Sequence, residues 1–441
     1  MLVGTPFSED IWDEVETWSR DRISAYQLER MKKQLMYVGE KSDYYRDVFK
    51  KAGFDPRGFK SFDDLAVLPI TKKLDYVNAI PQNRPWGPFL ACDPKDILRV
   101  HFSSGTTSKP AHMCWTGADI ERWADVFARY FYAQGVRRGD VYQGMVSFAW
   151  FVGGLATALA VQRVGAAFIP AGNGDSERQI DTILDYGVTA IFATPSFAAH
   201  LIEVAAKMGR DLTKSKLKTI MVGGEPGGGV PGTRARIEKH WGAKTYDCYG
   251  MIEFQPTAWE TSTQNGLVIA EDFCFAEVLD PETLKPVPDG TPGVLVLTHL
   301  DKQACPLVRW STGDIVVRDS RPGNDGRTFG RLVGGVHGRA DDMLVIRGAN
   351  VFPSAIEEVL RTIPGLGAEF QIVLDDSLKD NAGFYTGIKL KAEVEKGNAD
   401  ELTKELAKRV RDKLTVRAEV EVLPFGTLPR AMHKAKRVIK N

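Results

Sequence analysis

Four short stretches of this chain gather residues suited to holding phosphate, a flat ring or a pair of hydroxyls. In "SSGTTSKP", Ser103, Ser104, Thr106 and Thr107 offer hydroxyl donors. Gly105 would let backbone N–H groups close on an anion, and Lys109 adds a positive charge. The run is not a Walker A sequence, and its composition also suits a flexible linker. The glycines of "VGGEPGGG" could bring backbone up against a flat ring, or could simply turn the chain. "YDCYGMIEF" ends an apolar run with a tyrosine, a glycine and then Glu253, four residues after Tyr249. The same pair would serve as a buried ring and a solvated carboxylate. "PLVRWSTGD" ends in Asp314, which could accept from two vicinal hydroxyls or sit in an ordinary turn.

These stretches need elements to hold them. The chain has 441 residues, enough for two or three domains, and its 43% apolar and 26% charged composition is that of a globular protein. The first hundred residues read mainly helical, with Leu28, Met31, Leu35 and Val38 on one face. "DILRVHF" has the look of a buried strand, and "DIERWADVFARYFYAQG" that of an amphipathic helix. Between about 140 and 250, apolar strands such as "AIFAT" and "TIMVG" alternate with helices such as "SERQIDTILDYG", which predicts a mostly parallel, helix-covered sheet. After Thr261 come closely spaced strands ("GVLVLTHL", "PLVRW", "DIVVRD"), predicting a smaller antiparallel or barrel-like part. Past "GRADD", Ser354 and Glu357 read as a capping box opening a helix. The strands and the helix "ADELTKELAKRVRDKL" beyond it complete a small α+β unit.

Composition also excludes. Lys+Arg and Asp+Glu balance at 57 each, so no charge imbalance draws the chain to nucleic acid or an anionic membrane. Five cysteines without a C-x-x-C pair give neither a disulfide framework nor a zinc knuckle, and point to a reducing cytoplasm. The N-terminus turns acidic at once, unlike an export signal. Val141 to Gln162 carries no charge, but its paired glycines and strand-like start predict a core strand and helix rather than a membrane span.

In order and spacing, "HFSSGTTSKP", "YDCYGMIE", "PLVRWSTGD", "GRADDMLVIRGANVFPSAIEE" and "LPRAMHKAKRVIK" resemble the acyl-adenylate-forming superfamily, most closely its phenylacetate–CoA ligase branch. The resemblance covers nearly the whole chain. It implies a large α/β N-terminal domain over 1–340 and a small mobile α+β lid over 341–441. It implies an enzyme that joins a carboxylate to AMP at the expense of ATP, with Mg2+, and passes the acyl group to coenzyme A. The 103–110 loop would cradle the β- and γ-phosphates. Gly223, Gly224, Glu225 and Pro226 would wall the adenine, Tyr249 would stack on it, Asp314 would bind the ribose, and Arg339 would lie near ribose or phosphate. Glu253 would hold Mg2+, a hard cation that takes oxygen ligands. Lys434 would bridge the attacking carboxylate and the α-phosphate, supplying charge rather than acting as a base. Asp341 would be the hinge.

Phe148, Trp150, Phe151 and Phe197 would line a pocket for an aryl or arylacetic acid, each being equally suited to ordinary core. The expected partners are therefore this acid, ATP and coenzyme A, the chain acting as a monomer or homodimer. Three departures from the family pattern stand out: Ile252 replaces a hydroxyl residue before the glutamate, His433 replaces glycine before the lysine, and "TAWETSTQNG" lacks a zinc-binding cysteine cluster. Two other readings stay open. Acyl transfer to a carrier protein or amine, or adenylation of a cofactor carboxylate, would use the same first half-reaction. A nucleotide sensor with a decayed site is the other.

Overall fold

The computed structural model describes residues 3–80, 85–103, 111–340, 344–346, 349–379, 385–430 and 437–440. The protein is α/β, and its chain forms two compact units, each built from two stretches: Met1–Gly172 with Cys248–Gly335, and Asn173–Asp247 with Val336–Asn441.

The first stretch opens with α1 (Arg20–Lys41), α2 (Asp43–Ala52) and α3 (Lys73–Asn78). Ser19 caps α1 by accepting from the Arg22 N–H, and Gly53 ends α2 in the left-handed conformation at φ 64°. The expected apolar face of α1 is there: Met31, Leu35 and Val38 are buried and Leu28 is half-buried. β1 (Arg99–Phe102) and β2 (His112–Trp115) pair antiparallel. α4 (Gly117–Ala133) starts from a Thr116–Asp119 capping box. The uncharged stretch is β3 (Val141–Gly144) and α5 (Val152–Val164), with β4 (Ala167–Ile169) parallel to β3. Among the described residues no helix is long and apolar enough to cross a membrane.

Next come α6 (Ser176–Asp185), β5 (Ala190–Ala193), α7 (Pro195–Lys207), β6 (Thr219–Gly223), α8 (Pro231–Trp241) and β7 (Lys244–Tyr249). β5 and β6 are parallel and buried at every residue, which is why their sequences are continuous apolar runs rather than alternations.

From residue 248 the pairing turns antiparallel, as expected, through β8 (Ala258–Trp259), β9 (Leu267–Ile269), β10 (Cys274–Leu279), β11 (Pro292–His299), β12 (Trp310–Asp319) and β13 (Arg331–Arg339). One expected strand is absent, since "PLVRW" is irregular until Trp310. Arg309 stands at φ 46°, and its buried guanidinium is taken up by Glu277 and by the carbonyls of Leu65 and Leu68. That demand turns the backbone out of the extended conformation.

The final stretch holds β14 (Leu344–Ile346), β15 (Ala349–Val351), α9 (Pro353–Arg361), β16 (Leu366–Leu374), β17 (Ile388–Val394), α10 (Ala399–Leu414), β18 (Ala418–Leu423) and β19 (Val438–Lys440). The sheet β18–β17–β16–β19 and both helices share one apolar core, with Ile356, Leu360, Phe370, Ile372, Leu390 and Leu406 inside it. The expected Ser354–Glu357 capping box does not form. α9 begins at Pro353, so Ser354 lies within the helix and its hydroxyl donates to the His337 carbonyl. Glu357 instead accepts from the Thr233 hydroxyl at 2.9 Å and from Arg361 at 3.1 Å.

In the first unit, α4 is tied to the turn that precedes β10 by one buried carboxylate. Arg129 meets both oxygens of Asp272 at 2.7 Å, and Arg122 adds a third bond at 2.6 Å. Burial alone would raise the Asp272 pKa, but the two guanidinium groups outweigh it and hold the carboxyl well below the usual range. Its stabilisation is therefore present above the unfolded carboxyl pKa of about 3.9 and is lost as pH falls through the lower folded value. Asp272→Asn, which leaves two buried guanidinium groups without their countercharge, is expected to destabilise the protein by about 3–5 kcal/mol. A fall in the thermal unfolding midpoint at neutral pH, shrinking as the pH is lowered, checks this.

Candidate active site

Most of the first-unit residues singled out by sequence sit at or just beyond the C-terminal ends of strands. Ser103 follows β1 and is locked to Ala111 in both directions: its N–H donates to the Ala111 carbonyl at 2.8 Å, and its hydroxyl accepts from the Ala111 N–H at 2.9 Å. Ser104, Gly105, Thr106, Thr107 and Lys109 lie outside the described residues, as do Asp341 and Lys434.

Tyr249, the last residue of β7, and Asp314, in β12, are brought together, for the Tyr249 hydroxyl donates to the Asp314 carboxylate. Gly313 turns the backbone ahead of Asp314 at φ 76°, and the Asp314 N–H donates to the Thr312 hydroxyl at 3.0 Å. Asp314 is buried, so the ring and the carboxylate form one preset pair, spaced by their own hydrogen bond.

Glu253 is 5% exposed. Its Oε1 is buried and, among the described residues, has no hydrogen-bond partner; the nearest cation is Lys73, with Nζ 3.4 Å away. The Lys73 side chain is 48% exposed and stands at the first residue of α3. An unbonded buried carboxylate oxygen fits a hard divalent cation. Among the described residues no three His, Cys, Asp or Glu cluster to hold a metal, so such an ion would draw its remaining ligands from phosphate and water. Ile252 is buried beside it and offers no hydroxyl.

Sequence reasoning missed Lys73. Its signal was available: a lysine at the first position of a helix opposes the macrodipole, and so asks for a local carboxylate.

The aromatic stretch lies between β3 and α5. Trp150 sits at φ 62°, rare for so large a residue, and is 68% exposed. Its carbonyl accepts from the Phe102 N–H at 2.8 Å, and its ring meets Phe102 edge-on at 5.3 Å. His101 is buried too, and among the described residues its Nε2 has no hydrogen-bond partner. Burial first, then the Arg99 charge, push the His101 pKa down to about 4, so the ring is neutral at physiological pH. Phe151 is exposed and Phe148 half-buried, with its ring 5.7 Å from Phe168.

The second unit holds the remaining expected residues. Gly223 ends β6, and Gly224 turns the chain at φ 86°. Glu225 accepts from the Ser196 N–H at 2.8 Å, placing its carboxylate at the N-terminus of α7, and the exposed Pro226 follows. Beyond them, Gly228 has no room for a side chain, because a Cβ there would lie 2.3 Å from Asp247 Oδ1. Phe197, in the first turn of α7, is 1% exposed and lies in the interior. Arg339 ends β13 and is exposed.

Comparison with known proteins adds the following. The model of the AMP-binding enzyme family matches residues 54–299, and that of the AMP-binding enzyme C-terminal domain matches 348–441. The phenylacetate-coenzyme A ligase of Thermus thermophilus is 34% identical, over 97% of this chain and 98% of that protein. That of Aromatoleum evansii is also 34% identical, over 100% and 99%. Among solved structures, 2-hydroxyisobutyryl-CoA ligase in the postadenylation state with 2-HIB-AMP superposes with a TM-score of 0.93 at 31% identity, over 99% of this chain and 94% of that one. The same enzyme with 2-HIB-AMP and CoA in the thioesterification state gives 0.75 at 32% identity, over the same shares.

The aromatic loop depends on one glycine. A Cβ on Gly154 would lie 2.5 Å from the Ser147 carbonyl oxygen and under 3.0 Å from Phe148, whereas one on Gly153 would meet only Val146, at 4.0 Å. Both belong to the first turn of α5. Gly154→Ala is expected to cost about 1–3 kcal/mol through overpacking, while Gly153→Ala gains helix propensity and costs nothing. Thermal unfolding midpoints of the two variants, compared side by side, test this.

Proposed function

The chain belongs to the AMP-binding enzyme family, and from that premise we propose that it is an AMP-forming acid–coenzyme A ligase acting on an aromatic carboxylic acid. ATP and the acid give acyl-AMP and pyrophosphate, and coenzyme A then displaces AMP to give the thioester. The observation that carries this reading is the buried Oε1 of Glu253, left among the described residues without a hydrogen bond beside a half-exposed lysine.

Each group has a task in this reaction. Tyr249 stacks on adenine while its hydroxyl steadies Asp314, which accepts from the two ribose hydroxyls. Gly223, Gly224, Glu225 and Pro226 wall the base, and Arg339 attends ribose or phosphate. Ser103 to Lys109 take the β- and γ-phosphates. Glu253 would hold Mg2+, which when bound neutralises phosphate charge as a Lewis acid. Lys73 balances the Glu253 charge before nucleotide enters. Phe148, Trp150 and Phe151 face the acid, whereas Phe197 belongs to the interior. What supports an aromatic acid is the exposed Trp150 ring, held out of the core on strained backbone next to Phe151.

The acid is already ionised near neutral pH, so its oxygen attacks the α-phosphate without a general base. Negative charge grows as it does, and Lys434 neutralises it. Two half-reactions then share one pocket if the stretch 341–441 works as a lid hinged at Asp341, withdrawing Lys434 before coenzyme A enters. Its partners are small molecules, and the chain works as a monomer or homodimer in the cytoplasm, a setting supported by five unpaired cysteines.

Lys434→Ala is expected to lower adenylation by about three orders of magnitude while sparing thioester formation from supplied acyl-AMP and coenzyme A. Equal loss of both half-reactions would remove Lys434 from its assigned role. A panel of benzoates, phenylacetates, hydroxycinnamates and short hydroxy acids, scored by acid-dependent AMP release with and without coenzyme A, tests the substrate class. The expected result is fastest turnover on an aromatic acid, with thioester formed only when coenzyme A is present.

A further inference from the structure

Arg430 stands four residues before Lys434 but has no part of its own in the reaction described. Its guanidinium joins two carboxylates from different stretches of the second unit. On one side, Nη1 donates to Oε1 of Glu393, in β17, at 2.7 Å and to the Leu428 carbonyl at 2.9 Å. Glu393 is fully buried, and its same oxygen accepts from the Leu428 N–H at 2.6 Å. The segment 428–430 is thus fastened to the sheet at both of its ends. On the other side, Nε and Nη2 both donate to Oε2 of Glu203, in α7, at 3.4 Å. With side chains 17% and 11% exposed, this pair is largely out of water, where salt screens it less than a surface pair.

Glu203 belongs to the stretch Asn173–Asp247 and Arg430 to the stretch Val336–Asn441. The same two stretches meet again between α8 and α9. The Thr233 hydroxyl, which donates to Glu357, accepts from the Arg361 Nε at 3.1 Å, and Arg236 meets Glu395 at 2.5 Å. Gly232 permits the approach, since a Cβ there would lie 2.2 Å from the Cβ of Arg361. Among the described residues, the apolar core of the later stretch is drawn from that stretch alone. The seam therefore holds by polar bonds rather than by a shared core, as interfaces that must move do. Its bonds also divide so that the two sides can part. Arg430 would keep Glu393, and Arg361 would keep Glu357 and the carbonyls of Gly367 and Ala368, at 2.9 and 2.7 Å. Neither guanidinium is stranded, and Glu203 returns to water.

We propose that Arg430 is a positioning residue: held by Glu393 in its own stretch and by Glu203 on α7, it seats the segment leading into Lys434 for adenylation, and its bond to Glu203 opens when the lid swings for transfer to coenzyme A. The proposal rests on the parts given above to Lys434 and to the lid. Placing a charged group correctly matters because a misplacement of about 1 Å can cost about 100-fold in rate.

Arg430→Ala would leave Glu393 buried without its cation, so the test opens the pair from the Glu203 side, in the full-length enzyme. Glu203→Ala and Lys434→Ala are made singly and together. Adenylation is read as acid-dependent pyrophosphate release in a single turnover, with the panel acid that the wild-type enzyme activates fastest. Thioester formation is read from that acid's adenylate and coenzyme A. In Glu203→Ala, adenylation is expected to slow about tenfold at saturating ATP and acid, with thioester formation within about twofold of wild type. In the Lys434→Ala background, Glu203→Ala is expected to change adenylation less than about twofold, because a residue that acts by placing the lysine has nothing left to place. Unaltered adenylation in Glu203→Ala, equal slowing of both half-reactions, or losses that multiply in the double variant each overturn the proposal. Lys434→Ala separates the two claims. If it leaves adenylation intact, the assignment of the lysine fails and the proposal with it; if it slows adenylation while Glu203→Ala does not, only the positioning role fails.

Discussion

A carboxylate taken almost wholly out of water, with one oxygen lacking a hydrogen bond, is costly for a fold to keep. Among the described residues Glu253 is such a group, and what surrounds it is the means of keeping it. Lys73 supplies the opposite charge at 3.4 Å, yet its side chain remains about half in solvent and can leave without being stranded. The backbone that follows it is fixed by the Thr257 hydroxyl, which donates to the Phe254 carbonyl. A carboxylate whose only role was structural would be satisfied bidentately, as Asp272 is by Arg129 and Arg122. The contrast between these two buried acids within one unit is the clearest physical sign of which is structural and which is held ready.

The same economy governs where the other candidate groups sit. Ser103 follows β1, the aromatic stretch follows β3, the glycine turn follows β6, and Tyr249 closes β7. At a strand's C-terminal end the backbone leaves the ladder, so its side chains are free to turn toward a ligand while the strand behind stays rigid. Trp150 shows the cost of that freedom. Its positive φ is held by the Phe102 N–H, which donates to its carbonyl, and by the missing side chain of Gly154.

What the sequence made legible follows a physical divide. Long periodic helices and buried parallel strands announced themselves, because α10 and β5 obey local patterns that their burial enforces. The Tyr249, Glu253 and Asp314 motifs were visible as spacing, although the hydrogen bond joining Tyr249 to Asp314 was not. The failures share one cause. The strand expected at "PLVRW" yielded to the needs of a buried guanidinium whose partners, Glu277, Leu65 and Leu68, are remote in sequence. Ser354 and Glu357 had the spacing of a cap, but His337 and Thr233 compete for them. Lys73 was overlooked for the same reason, its partner lying far along the chain. Local rules hold until a long-range polar partner offers a better bond.

The histidines complete this account. Activating a carboxylic acid with ATP needs no general base, because the acid arrives ionised. Imidazole is therefore free for other work. His101 and His299 are both buried beside candidate functional groups: one precedes Phe102, whose N–H holds the Trp150 carbonyl, and the other stacks on Phe254, next to Glu253. A neutral imidazole suits this use, since it offers one directed N–H at the edge of a flat apolar ring that can also stack, as His299 does on Phe254. A lysine in the same place would bring a charge to desolvate, and a serine could not fill the volume. The two rings pack next to the segments on which binding depends, and the charge-bearing chemistry stays with carboxylates such as Glu253 and Asp314, themselves buried.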